Sequence, residues 1–187
     1  MLVDDDADRS ELLRRSLTEC GYTVIATIAS TSDLYAAVLA RRPDVIVVDV
    51  EAPGRDTLEQ MSMITREHPR PIVMFSGDDD GALIKEAIRA GVSAYVVDGL
   101  AETRVKPIMD VAIARFDEFK ALRDDAHKNR MLLEERKIVD RAKGLLMAAR
   151  KCSEPEAYQA LQKMAMNGNR KLVEVARDVI RITGFLT

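Results

Sequence analysis

Three short apolar runs constrain the fold of this chain more than any other feature. Val45-Ile46-Val47-Val48, Ile72-Val73-Met74-Phe75 and Ala94-Tyr95-Val96-Val97 are unbroken rather than alternating. The β-branched first run reads as a strand covered on both faces, because a half-exposed strand would alternate polar and apolar residues; the second reads as another buried strand and the third as a fifth strand. The stretches between them suit crossover helices. Residues 56–68 carry Leu58, Met61 and Ile64 at helical spacing, and residues 80–90 end at Gly91. Pro43, Pro69 and Pro71 punctuate these segments, since proline lacks the N–H that a helix or ladder needs.

The alternation extends toward the N-terminus. Leu2-Val3 reads as a very short first strand. Residues 8–20 form a helix through Leu12, Leu13 and Leu17 that Gly21 ends, and Tyr22-Thr23-Val24-Ile25-Ala26 reads as the second strand. Ser32 is expected to cap a helix running to about Arg42, with Leu34, Val38 and Leu39 inward. Residues 102–115 begin another helix. This is (βα)5 with short connections, an α/β parallel sheet with right-handed crossovers and helices on both faces. With strand order 2-1-3-4-5, ligands bind at the carboxyl ends of the strands.

Beyond residue 108 no strand is legible. From Ile108 to about Lys151 there is no proline, and Gly144 is the only glycine. Phe119, Leu122, Ala126, Asn129 and Leu133 alternate spacings of three and four, a heptad-like seam that can pair two chains. A single solvated connector helix is the alternative. Ile138, Ala142, Leu145, Leu146 and Ala149 continue a helical face. Ser153-Glu154-Pro155-Glu156 is a capping box, and its helix is expected to turn Ala157, Leu161, Met164 and Ala165 inward and to end at Asn167-Gly168. Asn169 is expected to cap a last helix carrying Leu172, Val175, Ala176, Val179 and Ile180. The organisation read from this pattern is a domain over 1–115, a connector over 116–135 and a small all-helical domain over 125–187.

Charge divides the same way. Residues 1–119 hold 13 Lys+Arg against 22 Asp+Glu, and residues 120–187 hold 15 against 9. An acidic front and a basic back imply different partners, and the basic part suits phosphates. A solvated, Lys/Arg-rich helical surface is the plainer alternative. With four Tyr, four Phe and no Trp, an RNA reader built on aromatic platforms is excluded. No apolar run approaches the roughly 20 residues that cross a bilayer. The acidic start, Met1 to Asp6, is unlike a signal peptide. Cys20 and Cys152 match no metal or redox spacing and fit a reducing cytoplasm.

Asp4 and Asp5 follow the first strand, and Asp49 follows the third. Several carboxylates in one strand-end crevice are costly unless a cation offsets them, and Mg2+, which seeks oxygen ligands, is the natural partner. Ser76 ends the fourth strand beside Gly77. Val3-Asp4-Asp5, Val48-Asp49 with Pro53, Phe75-Ser76-Gly77 and Ala94-Tyr95-Val96-Val97 together resemble the receiver domain of two-component response regulators over residues 1–115. The resemblance implies a flavodoxin-like fold with Asp49 as phospho-acceptor. It implies Mg2+ held by Asp5, Asp49 and the Glu51 backbone carbonyl with Asp4 in support, Ser76 on the phosphoryl group, and Tyr95 as the aromatic that repositions. One position departs: the family places Lys, then Pro, after the fifth strand, where this chain has Asp98-Gly99. An Asp there adds like charge and leaves a phosphoryl group without its cation, which puts regulated phosphorylation in question. Lys106 is the next lysine along the chain.

Arg141-Ala142-Lys143-Gly144-Leu145-Leu146-Met147, Ser153 to Tyr158, and Met164 to Ala176 resemble the ANTAR domain, an RNA-binding antitermination module, over about residues 125–185. Together with the Asp98-Gly99-Leu100 corner, the chain resembles the NasT-type regulators of nitrate and nitrite assimilation. The resemblance implies a cytoplasmic antiterminator that binds a two-stem-loop leader RNA and dimerises when active. It also implies an upstream partner, a nitrate-binding sensor or a histidine kinase. Arg141, Lys143, Asn169, Arg170 and Lys171 are the candidate RNA-contact residues. Gly144 costs on the order of 1 kcal/mol in mid-helix, so it must permit close approach by a helix or by RNA. The other reading is a dimerising protein-interaction switch without sequence-specific RNA binding. An enzymatic output is not supported, because the only histidine after residue 108 is His127 and no nucleophile–base pairing is visible.

Overall fold

The computed structural model describes residues 1–51, 53–97 and 102–184. Ala52, the corner Asp98-Gly99-Leu100-Ala101 and the last three residues lie outside the described set, so the expectation placed on Asp98 and Gly99 does too. The elements are β1 (Leu2–Asp4), α1 (Ala7–Glu19), β2 (Thr27–Ile28), α2 (Leu34–Arg41), β3 (Ile46–Asp49), α3 (Arg55–Glu67), β4 (Ile72–Ser76), α4 (Gly81–Ala90), β5 (Ala94–Val97), α5 (Glu102–Arg150), α6 (Glu154–Asn167) and α7 (Leu172–Gly184). The chain divides into two compact units, Met1–Lys120 and Ala121–Thr187.

In the first unit all strand pairs are parallel, in the order β2-β1-β3-β4-β5. This is the flavodoxin-like arrangement expected. Alternation along each strand sends neighbours to opposite faces, and both faces are covered. Val3, Ile46, Val48, Ile72 and Met74 pack with Leu34 and Val38 of α2, Met61 and Ile64 of α3 and Ala87 of α4. Leu2, Val47, Val73 and Phe75 pack with Leu13 and Leu17 of α1 and with Val105, Met109 and Ala112 of α5.

Local expectations in the first unit are corrected at the second strand, at the α2 cap and at two leucines. The second strand lies at Thr27–Ile28, not across Tyr22–Ala26. β2 is an edge strand paired with β1 in the register Leu2 with Thr27 and Val3 with Ile28, which places the ladder just past that run. Tyr22 and Val24 still pack beneath the sheet. Asp33, not Ser32, caps α2 by accepting from the Ala36 N–H at 2.8 Å. A carboxylate also suits the positive end of the helix dipole. Leu39 is 41% exposed, because an eight-residue helix that buries Leu34 and Val38 turns the next position about 100° away; Leu12 of α1 is likewise exposed.

Gly91 ends α4 at φ 101°, and a Cβ there would stand 2.1 Å from Thr65 Oγ1. Thr65 uses that hydroxyl to tie α3 to the Ala90 carbonyl at 3.0 Å. Gly91→Ala should therefore cost about 2–4 kcal/mol, combining left-handed strain with overpacking. Urea unfolding monitored by circular dichroism tests this; a change under 1 kcal/mol would contradict it.

In the second unit, the later turns of α5 pack with α6 and α7 around Ala142, Leu146, Ala157, Leu161, Ala165, Val175 and Ala176. Alanines at so many contact points let the helices approach closely. The Glu156 carboxylate accepts from the Ser153 N–H and hydroxyl, each at 2.8 Å, which starts α6 as the capping-box spacing expects. Met164, expected inward, is 36% exposed. Asn169 does not cap α7: it lies in the intervening turn at φ 48°, and Lys171 precedes the first helical residue. Along α5, Phe119, Leu122, Met131, Leu132 and Leu133 are exposed.

Candidate functional site

The first candidate site is the carboxyl edge of the sheet. Asp4 ends β1 and Asp49 ends β3, and the two are register partners. Both are buried, at 7% and 3% exposure. Their arrangement starts in the sequence: Asp6, the third of the acidic run, caps α1 by accepting from the Asp8 N–H at 2.9 Å and the Arg9 N–H at 3.1 Å. That cap sets Arg9 in the first turn of α1, where its guanidinium pairs with Asp49. Asp4 accepts from the Asp6 N–H at 2.9 Å through one oxygen, and its other oxygen, Oδ2, is buried without a partner. Burial raises the Asp4 carboxyl above its ordinary pKa and the Asp49 charge adds to this, against the Asp6 N–H and Arg9. An orphaned carboxylate oxygen beside a second buried carboxylate is chemistry that suits a small hard cation.

The other predicted residues are placed as follows. Asp5 is exposed and turns to Ser30, accepting from its N–H at 2.8 Å and from its hydroxyl. These hydrogen bonds lower the Asp5 pKa. Among the described residues no three His, Cys, Asp or Glu side chains converge as a ready metal cage, and Asp5 is the one that stands apart. Ser76 is buried and donates to the Glu51 carbonyl at 2.7 Å while accepting from the Asp78 N–H at 3.1 Å. It thereby joins the loops that follow β3 and β4. Tyr95, half-buried on β5, donates to the Asp78 carbonyl at 2.9 Å, so it reads the same loop. Lys106 is exposed and engages Asp110 at 3.5 Å. Sequence reasoning missed Arg9. The available signal was its place in the first turn after a strand that ends in acids, where side chains overhang the strand-end crevice.

The second candidate site is on the helical unit. Arg141 is exposed and Lys171 is exposed. Lys143 is not free: its side chain is only 15% exposed, and its ammonium lies 2.6 Å from both Asp140 and Glu154. Those contacts raise its pKa, Asp140 contributing most. Arg170 pairs with Asp178 at 2.7 Å and Glu174 at 3.6 Å. Of the candidate RNA-contact residues, Lys143 and Arg170 are thus already held by acidic neighbours on α5, α6 and α7. Gly144 is exposed, and a Cβ there would meet nothing within 4 Å. Packing among the described residues does not require this glycine.

A five-stranded parallel sheet with paired acids at its carboxyl edge, followed by a long helix and two short ones, defines a signalling receiver with a helical output unit. Residues 1–109 match the response regulator receiver domain family, and residues 120–180 match the ANTAR domain family. The chain belongs to the response regulators that join these two domains, a non-enzymatic regulatory family. It is 30% identical over 188 residues to the transcriptional regulatory protein PdtaR of Mycobacterium tuberculosis, covering 98% of this chain and 90% of that one. It is 33% identical over 85 residues to a nitrate regulatory protein of Klebsiella oxytoca, covering 46% of this chain and 22% of that one. Among solved structures it resembles a LuxR-family response regulator from Aurantimonas sp. SI85-9A1, with TM-score 0.54 and 28% identity over 61% of this chain and 83% of that one. Among the described residues no helix is long and apolar enough to cross a membrane.

Proposed function

We propose that this chain is a cytoplasmic transcription antiterminator whose ANTAR unit binds a two-stem-loop leader RNA. The observation that carries this reading is the ANTAR match over residues 120–180 on the part of the chain with a basic excess. Arg141, Asn169 and Lys171 contribute hydrogen bonds to phosphates or loop bases, and Lys143 and Arg170 join by exchanging acidic partners for RNA. Gly144 leaves its face of α5 open to close approach. The exposed apolar residues from Phe119 to Leu133 support pairing of two chains along α5 in the active state, which would present two helical units to two stem-loops. Likeness to a nitrate regulatory protein supports nitrate or nitrite assimilation genes as targets. The test is a salt-dependent titration of the full chain with two-stem-loop RNA and a scrambled-loop control. Preference for the native loops supports the reading, and equal binding to both removes it.

In the receiver, Asp49 is the phospho-acceptor position. Mg2+ would be held by Asp4, Asp49 and the Glu51 carbonyl, with Asp5 joining when it gives up Ser30. The metal would supply charge neutralisation to a phosphoryl group there. Ser76 would offer its hydroxyl to that group, and Tyr95 would follow the loop that carries Asp78. With Asp98 where a lysine is usual, phosphorylation by a histidine kinase is a weak control, and sequestration by a nitrate-sensing partner sets the output. Incubation with acetyl phosphate and Mg2+ should leave RNA affinity unchanged within about twofold. Stable labelling of Asp49 with a tenfold gain in affinity would contradict this.

The exposed apolar face of α5 also favours a second reading, a dimerising switch that recognises only proteins. It predicts dimerisation without loop-dependent RNA binding.

A further inference from the structure

The second unit contains a groove of 390 Å³ between α5 and α7, lined by Lys137, Ile138, Arg141, Arg177, Ile180 and Arg181. Its four cations come as two pairs at i,i+4 spacing, 137 with 141 on α5 and 177 with 181 on α7. Each pair spans about 6 Å along its helix axis, so the groove has a row of two positive charges on each bank. Ile138 and Ile180 supply apolar surface between them. Two of these cations are already engaged: Lys137 pairs with Glu134 at 2.8 Å and Arg181 with Asp178 at 3.1 Å, both along their own helices. Arg141 and Arg177 are exposed, and neither has an ion pair among the described residues.

With Lys137 and Arg181 each held by one carboxylate, Arg141 and Arg177 face the groove without an ion-pair partner among the described residues. A site of this composition is stabilised by an external polyanion. The contrast with Lys143 and Arg170 matters here. Those two are, with Arg141 and Lys171, among the cations that the sequence proposes for RNA contact, but each is matched by two carboxylates. Phosphates would have to compete with these carboxylates, whereas at Arg141 and Arg177 they would not.

We infer that the Lys137–Arg141 and Arg177–Arg181 groove is the surface on which the phosphate backbone of the RNA lies, with the isoleucines against its sugars. This rests on the proposed RNA binding and assigns that function chiefly to α7 residues and to the turn of α5 opposite them. A backbone contact carries no base information, so the groove sets affinity and orientation while loop recognition lies elsewhere on the unit. The arginines can hold phosphate bidentately, but a lysine point charge retains most of a phosphate contact.

The test uses the full chain, with a two-stem-loop RNA and its scrambled-loop counterpart, titrated across salt concentrations. Arg141→Gln/Arg177→Gln should reduce the slope of log affinity against log salt by about 2. Affinity at low salt should fall at least tenfold, and by the same factor for both RNAs. Lys163→Gln/Arg150→Gln removes the same charge outside the groove and should change affinity less than threefold. Arg141→Lys/Arg177→Lys should restore the slope, which separates phosphate contact from loss of fold. If the groove variant behaves like the equal-charge control while the wild-type chain still prefers native loops, the groove assignment fails and the RNA reading stands. If the wild-type chain binds neither RNA, both fail. If the groove variant loses dimerisation in sedimentation at unchanged RNA slope, the groove is a protein contact and the inference is overturned.

Discussion

Leu161→Ala should unfold the C-terminal helices while leaving the receiver's melting transition in place. Leu161 is fully buried in a core where Ala142, Ala157, Ala165 and Ala176 hold the helices close and only a few large side chains fill the space. Truncating such a leucine costs about 2–5 kcal/mol, transfer and cavity together. A unit the size of Ala121–Thr187 has a total stability of about 3–10 kcal/mol. The loss therefore consumes much or all of it. Thermal unfolding followed by circular dichroism should show the helix-rich transition move down by 15 °C or more, or vanish, with RNA binding lost in parallel. A shift under 5 °C, or equal shifts in both transitions, would contradict the assignment of Leu161 as the centre of a separate core.

A second effect, one that Mg2+ should change, is expected at Arg9. Its guanidinium is the one described cation in an ion pair with the acids at the sheet edge, where Asp49 is 3% exposed and Asp4 keeps an orphaned oxygen. Removing one partner of a buried pair costs about 3–5 kcal/mol. Arg9 itself is 41% exposed, and solvent screening reduces the figure to about 1–3 kcal/mol. Arg9→Ala should thus destabilise the receiver in chelator. Added Mg2+ should then return more stability than it gives the wild-type chain, because the cation no longer competes with a guanidinium for Asp49. Differential scanning calorimetry with and without Mg2+ measures both. Equal Mg2+ shifts in the two proteins would show that Arg9 and the metal do not share Asp49.

The central sheet was legible because β3 and β4 are buried on both faces, and their unbroken runs, like that of the half-buried edge strand β5, leave no competing period. The second strand was misplaced for a reason outside its own residues. Tyr22–Ala26 has the β-branched content of a strand, but the register with β1, Leu2 beside Thr27 and Val3 beside Ile28, places the ladder past it. The acidic pair Asp4 and Asp49 was readable from strand ends alone. Arg9 was harder to read: its place in the first turn after β1 is a signal, but its partner Asp49 lies forty residues on and comes into reach only when β3 is laid beside β1. Lys143 shows the same limit on the helical unit. Asp140 three residues before it hints at pairing, but Glu154 reaches it only because the chain reverses between α5 and α6. The groove cations of α7 were hidden similarly: Arg177 and Arg181 look like solvent-facing charges until α5 is laid beside them.

Terminator read-through tests the central claim most directly. Single-round transcription of a template carrying a two-stem-loop leader ahead of a terminator should give several-fold more full-length transcript when the wild-type chain is added. The gain should disappear with scrambled loops and with Leu161→Ala. Read-through that is unchanged by the protein, or raised equally on the scrambled template, would contradict an antiterminator that acts by recognising the leader RNA.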